Sequence, residues 1–291
     1  MSILPRLLLR GLPLVWLATL GCGDEPSEPV LTPVSIPFAA RVGSEPFACG
    51  RTYQGLGTTG TTYEPMEFRV YVHDVRLVSE AGQEVPVTLA DDGVWQREGA
   101  ALLDFADKSG LCTNGTQATR ALLTGTVPEG RYTGLRFKLG LPASLNHRDA
   151  SVAPAPFNDL SLYWNWLGGY IFARIEGRTT GLREGHYMHL GSTECAAPPP
   201  GQPNGTSGCA NGNRPEIDLA AFDVGQDTVV MDVAALLAGS NLDVNAAVPN
   251  TSVGCMSQQQ DPDCADVFSR LGLAHQAQSQ APAGQVFIRA E

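Results

Sequence analysis

Glu67-Phe68-Arg69-Val70-Tyr71-Val72-His73-Asp74-Val75-Arg76-Leu77-Val78 decides the fold class. Phe68, Val70 and Val72 alternate with Arg69, Tyr71 and His73, and a period of two with β-branched and aromatic residues is the pattern of a strand. Working outward, Val34-Ser35-Ile36-Pro37-Phe38 precedes it and Arg131-Tyr132-Thr133-Gly134-Leu135-Arg136-Phe137-Lys138-Leu139 follows it with the same alternation. Tyr170 to Ile175, Tyr187 to Leu190 and Thr228 to Val233 continue the series. Turn-formers such as Asp91-Asp92-Gly93 and Pro128-Glu129-Gly130 lie between the strands. Helix is scarce: Val233 to Gly239 and Cys264 to Leu271 are the expected short ones. The reading is mainly β, an antiparallel β-sandwich or barrel with long loops and few short helices.

The 291 residues are 43% hydrophobic and 17% charged, which suits a folded domain rather than a disordered chain. No repeat or linker interrupts residues 40–280, so residues 34–291 are expected to form a single domain. The net charge of −11 repels a phosphate backbone, and nucleic acid is excluded as an expected partner.

Residues 1–21 carry Arg6 and Arg10 before an apolar run through Leu12, Leu14, Val15, Trp16 and Leu17, the build of a secretion signal too short to span a membrane. Ala18-Thr19-Leu20-Gly21-Cys22 resembles a lipoprotein cleavage site, although leucine stands second rather than third before the cysteine. Cys22 is therefore the expected lipid anchor point, with ordinary signal cleavage as the alternative. Residues 22–33, rich in acid and proline, read as a flexible tether. The expected location is the periplasm, or the outer membrane through the lipid.

Six cysteines remain, an even number in an oxidising compartment, so disulfides are expected. Cys195 with Cys209 and Cys255 with Cys264 would each close one loop, leaving Cys49 for Cys112, one of fifteen possible pairings. A thiolate metal site would need close CxxC-type pairs, which the chain lacks.

No HExxH, GxSxG, Walker or dinucleotide motif is present; His186-Tyr187-Met188-His189 spaces its histidines by three and lacks the glutamate. What stands out is Leu145-Asn146-His147, Tyr163-Trp164-Asn165-Trp166 and His189-Leu190-Gly191-Ser192-Thr193. Imidazole and thioether suit copper better than calcium or magnesium. Taken singly, a histidine near a strand end is more often a hydrogen-bonded filler than a ligand. Tryptophans two apart on one strand share a face and commonly fill a core.

Taken in order, these stretches resemble those of the MbnP-like copper-binding proteins, the metallo-mystery-pair four-Cys-motif family. The resemblance runs from about Val34 to the C terminus and also includes Phe68 to Leu77, Leu103-Asp104-Phe105, Gly130 to Leu135 and Gly254-Cys255-Met256-Ser257. It implies a secreted, non-catalytic β protein holding one mononuclear copper. It also implies a partner, a MauG-like di-haem cytochrome c peroxidase of the MbnH type, that oxidises a tryptophan to kynurenine. Indole nitrogen gives its lone pair to the ring and is a poor ligand, whereas ring opening yields an amine and a carbonyl. Carried over, the ligand candidates are His73, His147 and His189, the oxidised residue is Trp166 ahead of Trp164, and Met256 is a further thioether candidate. His186 ranks below His189, being on the opposite face of a strand through Tyr187.

The family label counts four cysteines and this chain has six besides Cys22, so an extra loop staple is expected, Cys195 with Cys209. Two other functions compete with copper acquisition, storage or delivery. One is a surface adhesin or glycan-binding module with Trp164, Trp166 and Tyr170 as a stacking platform. The other is a copper-dependent redox enzyme, which needs an open coordination position.

Overall fold

A computed structural model describes residues 29–291 except 199, 201–205, 207, 277–281 and 283. The secretion signal, Cys22 and most of the expected tether lie outside the described residues. The remainder of the tether differs from expectation: among the described residues the first strand is Leu31–Val42, so residues 31–33 belong to the sheet rather than to a tether. Its ladder with Leu122–Pro128 starts at Leu31 itself, opposite Pro128, and backbone pairing holds these residues in place.

Two sheets face each other. The smaller runs in the order Ile288–Ala290, Val229–Asp232, Leu31–Val42, Leu122–Pro128, Thr88–Leu89. The larger is organised on Thr61–Ser79, whose residues from Glu67 to His73 are all buried. Burial on both faces explains why the stretch that decided the fold carries so many apolar side chains. Phe38 of the smaller sheet meets Phe137 of the larger edge to face, with ring centroids 5.8 Å apart. One continuous apolar cluster fills the space between.

The sandwich is as expected, and neither sheet closes into a barrel. The antiparallel expectation needs one correction. Leu31–Val42 runs parallel to Val229–Asp232, and His186–Leu190 runs parallel to Gly254–Cys255. Parallel neighbours need long connections, and each of these pairs is separated by a long excursion of chain. Local alternation carries no information about that choice. The two expected short helices fall at Val233–Leu237, where Asp232 Oδ1 accepts from the amides of Ala234 and Ala235, and at Cys264–Arg270, and a further helical turn lies at Ala143–Asn146.

The long strand is long enough to take two neighbours in succession on one edge. Ala173–Thr179 pairs with residues from Tyr63 to Val70, and Tyr132–Leu139 takes over from Val72 to Ser79. At the handover the two neighbours diverge: Tyr71 donates its amide to Phe172 O at 2.8 Å and accepts from the Gly140 amide at 2.7 Å. Gly140 has φ +99°, and a Cβ there would lie 2.6 Å from the Phe172 ring, so only glycine fits. The split in the sheet opens the ground on which the candidate site stands.

The three disulfides among the described residues match the arithmetic of the cysteines: Cys49–Cys112, Cys195–Cys209 and Cys255–Cys264.

Candidate metal centre

Asp159 begins the construction. Arg69, fully buried on the long strand, binds Glu67 Oε2 at 2.6 Å, Asp159 Oδ2 at 2.5 Å and Ser161 Oγ at 2.9 Å. A buried guanidinium is tolerable only with such partners, and here they anchor the segment that enters the tryptophan hairpin. Burial opposes the charge on Asp159, yet Ser161 and Arg69 hold its carboxyl below the ordinary range.

The hairpin is Tyr163–Asn165 against Gly169–Tyr170. Asn165 Oδ1 accepts from the amides of Leu167 and Gly168 at 2.9 and 2.8 Å and shapes the turn. Asn146 Oδ1 accepts from the Tyr170 amide at 2.9 Å, and Gly169, at φ +78°, leaves room for Asn146. Leu145 and Asn146 end the Ala143–Asn146 helical turn and His147 caps it, so this turn clamps the hairpin from the side.

Trp164 and Trp166 do not share a strand face. The strand ends at Asn165, so Trp166 lies in the turn with 42% of its surface exposed. Trp164 is half-buried, and its ring lies so close to Gly191 that a Cβ there would fall 2.5 Å from it. Tyr170 is fully buried with its hydroxyl donating to Phe157 O at 2.6 Å, which removes it from any exposed three-ring platform.

His147 is 9% exposed at the end of the helical turn. Its Nδ1 lies 3.2 Å from Trp166 O, and a carbonyl only accepts, so Nδ1 carries the proton and Nε2 the lone pair. That Nε2 faces Asn146 Nδ2 at 3.0 Å and Cys209 Sγ at 3.4 Å. Burial keeps the ring neutral by lowering its pKa, against the raising effect of the Trp166 carbonyl. His73 repeats the arrangement: its Nδ1 donates to Gly140 O at 2.8 Å, leaving the lone pair on Nε2. Burial pushes its pKa down to about 4, with the Arg214 charge adding to the effect. Arg214 stacks 4.8 Å from the Phe172 ring and donates to Leu141 O, so it stands over the split in the sheet near both imidazoles.

His189 is oriented from the other side. Its Nε2 lies 2.5 Å from Glu176 Oε1, and Arg174 Nε donates to the same oxygen at 2.6 Å. Burial works against ionised Glu176, but the bonds from His189 and Arg174 prevail and hold its carboxyl below the usual range. The His189 Nδ1 is buried with no hydrogen-bond partner among the described residues. An imidazole held by a carboxylate at one nitrogen, with an unused buried nitrogen at the other, is the usual setting of a metal-ligating histidine. The donor set therefore suits a metal that favours neutral nitrogen.

The three histidines do not close into one cluster. Among the described residues, the group of three His, Cys, Asp or Glu ligand atoms within 4.8 Å of one another is His147, Cys195 and Cys209. Two of its members are joined in a disulfide and are not thiolates. Met256 is half-buried and lines a cavity of about 510 Å³ with Trp164, Cys195, Ser192 and Gln258. His186 is buried, its Nδ1 has no hydrogen-bond partner among the described residues, and burial lowers its pKa to about 4.

Sequence reasoning missed Glu176, Asn146 as clamp, and Arg214. Glu176 was legible in principle: a hairpin through residues 173–190 sets Arg174 opposite His189, and alternation puts Glu176 on the same face. Arg214 gives no local signal, because Leu141 O and the Phe172 ring, which hold it over the split in the sheet, lie far away in sequence.

The MbnP family profile matches residues 31–257. The fold is similar to that of MbnP from Methylosinus trichosporium, with a TM-score of 0.79 and 28% identity over 90% of this chain and 98% of that one. No curated protein sequence matches.

Proposed function

The chain belongs to the MbnP family, and on that premise we propose that it is a secreted, non-catalytic copper-binding protein used in copper acquisition, storage or delivery. His73, His147 and His189 are the nitrogen donors in this reading, with Met256 as a further thioether. Copper in its cuprous form is soft and takes neutral nitrogen and sulfur donors in a compartment where thiols are oxidised. The observation that carries the reading is the tautomeric preparation of the histidines. His73 and His147 each give Nδ1–H to a carbonyl, and His189 gives Nε2–H to Glu176, so each ring keeps a lone pair on its other nitrogen, that of His147 accepting from Asn146 Nδ2 at 3.0 Å.

The unmodified chain does not gather these nitrogens, and oxidation of an indole is the proposed completing step. Trp166 is the better-placed target because its ring is exposed to a partner, whereas Trp164 lies against Gly191. A di-haem peroxidase is the proposed oxidant. Ring opening at Trp166 would supply an amine and a ketone beside His147, which already contacts the Trp166 backbone. Attachment to a membrane through lipid on Cys22 belongs to the same proposal.

Intact mass and peptide mapping decide it, on protein made alone and with the partner. Kynurenine at Trp166 appears as the gain of one oxygen and the loss of one carbon, with copper bound at one per chain. Copper content that ignores both His147→Ala and His189→Ala, or an unaltered Trp166 and Trp164 in copper-loaded protein, would sink the proposal.

A further inference from the structure

We propose that the Cys195–Cys209 disulfide is a redox gate, whose reduction creates a Cys2His site with His147 for a soft or borderline cation such as cuprous copper or zinc. The inference goes beyond the histidine site above and shares only His147 with it.

A ring nitrogen of His147 and the two sulfurs already lie within 4.8 Å of one another, and His147 Nε2 is 3.4 Å from Cys209 Sγ. Zinc–sulfur bonds of about 2.3 Å place two ligands of a tetrahedral ion a little under 4 Å apart, so the group has the span of a three-ligand site once the sulfurs separate. The imidazole is set for it: Nδ1 is occupied by the Trp166 carbonyl, and the Nε2 lone pair faces Cys209 Sγ at 3.4 Å. While the disulfide is intact, that sulfur stands where a cation would bind, and neither sulfur is a thiolate.

The placement of this disulfide differs from that of the other two. Cys195 and Cys209 sit opposite each other in a two-stranded ribbon, Thr193–Ala196 with Gly208–Asn211, which belongs to neither main sheet. Both are only partly buried. Cys255, Cys264 and Cys112 are 1% exposed or less, so every other disulfide has at least one sealed partner. A reductant therefore meets Cys195–Cys209 first. Opening it leaves the sandwich core in place, because the ribbon contributes nothing to the apolar cluster.

The chemistry balances with a dithiol as reductant. Thiolate attack on one sulfur breaks the Cys195–Cys209 bond and forms a mixed disulfide. The second reductant thiol releases the protein, leaving two cysteine thiols and an oxidised reductant. Two electrons and two protons have passed to the protein. Uptake of the cation then releases the two thiol protons and leaves two thiolates and one neutral imidazole as donors.

The test uses the full chain, free of copper and under anaerobic conditions. Limiting dithiol is added, free thiols are alkylated and mapped, and a parallel sample is titrated with cadmium as a spectroscopic probe of thiolate binding. Alkylation is expected at Cys195 and Cys209 ahead of the other four disulfide-bonded cysteines. One cadmium should bind with an ultraviolet thiolate-to-metal band, and His147→Ala should weaken it about tenfold or more. The Cys195→Ser, Cys209→Ser double variant should show no band while circular dichroism reports an intact sheet. Prior labelling of Cys49, Cys112, Cys255 or Cys264 overturns the proposal. So does a band that survives in the double variant, a reduced native-like protein with no band, or indifference to His147→Ala. Failure of the histidine copper site reads separately, as no copper uptake by the oxidised protein.

Discussion

Glu176 Oε1 lies 2.5 Å from Nε2 of His189 on the neighbouring strand, a diagonal pair on one face of the larger sheet. The carboxylate fixes which imidazole nitrogen carries the proton and which remains free. Glu176→Gln keeps the shape but removes the charge that selects the tautomer. Copper affinity is expected to fall about 10- to 100-fold. Arg174 loses its charged acceptor, so the fold should lose about 1–3 kcal/mol. Competition titration against a copper chelator and urea unfolding read the two effects separately. Unchanged affinity would show that Glu176 serves the fold alone.

Gly191 and Trp164 are in the closest of contacts, since a Cβ at Gly191 would lie 2.5 Å from the indole and 3.1 Å from Tyr170 O. Gly191→Ala should displace the ring and cost about 1–3 kcal/mol. In a background lacking the signal segment and carrying Trp95→Phe and Trp166→Phe, which leaves Trp164 as the one tryptophan, fluorescence quenching by iodide would show whether its indole has become more accessible. Gly168→Ala is the control, because its Cβ would meet Trp164 only at 3.4 Å. Equal effects from the two substitutions would contradict the packing described.

His186 is buried without an Nδ1 partner among the described residues, and burial lowers its pKa to about 4. The unfolded chain takes up a proton near 6.5, so between those values it binds more protons than the native state. Stability from this group is complete above about pH 6.5 and is lost as pH falls towards 4, to about 3 kcal/mol in all. His186→Gln should remove that slope. From pH 7.5 to 4.5 the urea midpoint of the unsubstituted protein is expected to fall more steeply than that of the variant; parallel curves would rule the mechanism out.

Cys49–Cys112 joins residues 63 apart and Cys255–Cys264 joins residues 9 apart. The longer closure removes more freedom from the unfolded chain, so replacing the first pair by serine should cost about 4 kcal/mol and the second about 3 kcal/mol. Chemical unfolding of the two double variants checks the order. A greater loss from the shorter loop would point to packing around Cys255 and Cys264, both buried, as the dominant contribution.

Strands, disulfide pairs and candidate donors were legible in the sequence because each rests on local rules. Alternation marked the long strand through His73, cysteines near each other in sequence closed their own loops, and the Asn146-His147 and Trp164-Asn165-Trp166 stretches singled themselves out by composition. The parallel pairing of Leu31–Val42 with Val229–Asp232 was not legible, since a strand's own residues do not encode the direction of a distant neighbour. Only the tertiary structure decided that Trp166 sits in a turn while Trp164 lies on Gly191, and that Glu176 holds His189. It also decided that His147 faces a disulfide rather than another imidazole. Those relationships span tens of residues and depend on the register of strands meeting around a split in the sheet, where a one-residue slip would turn every side chain to the other face.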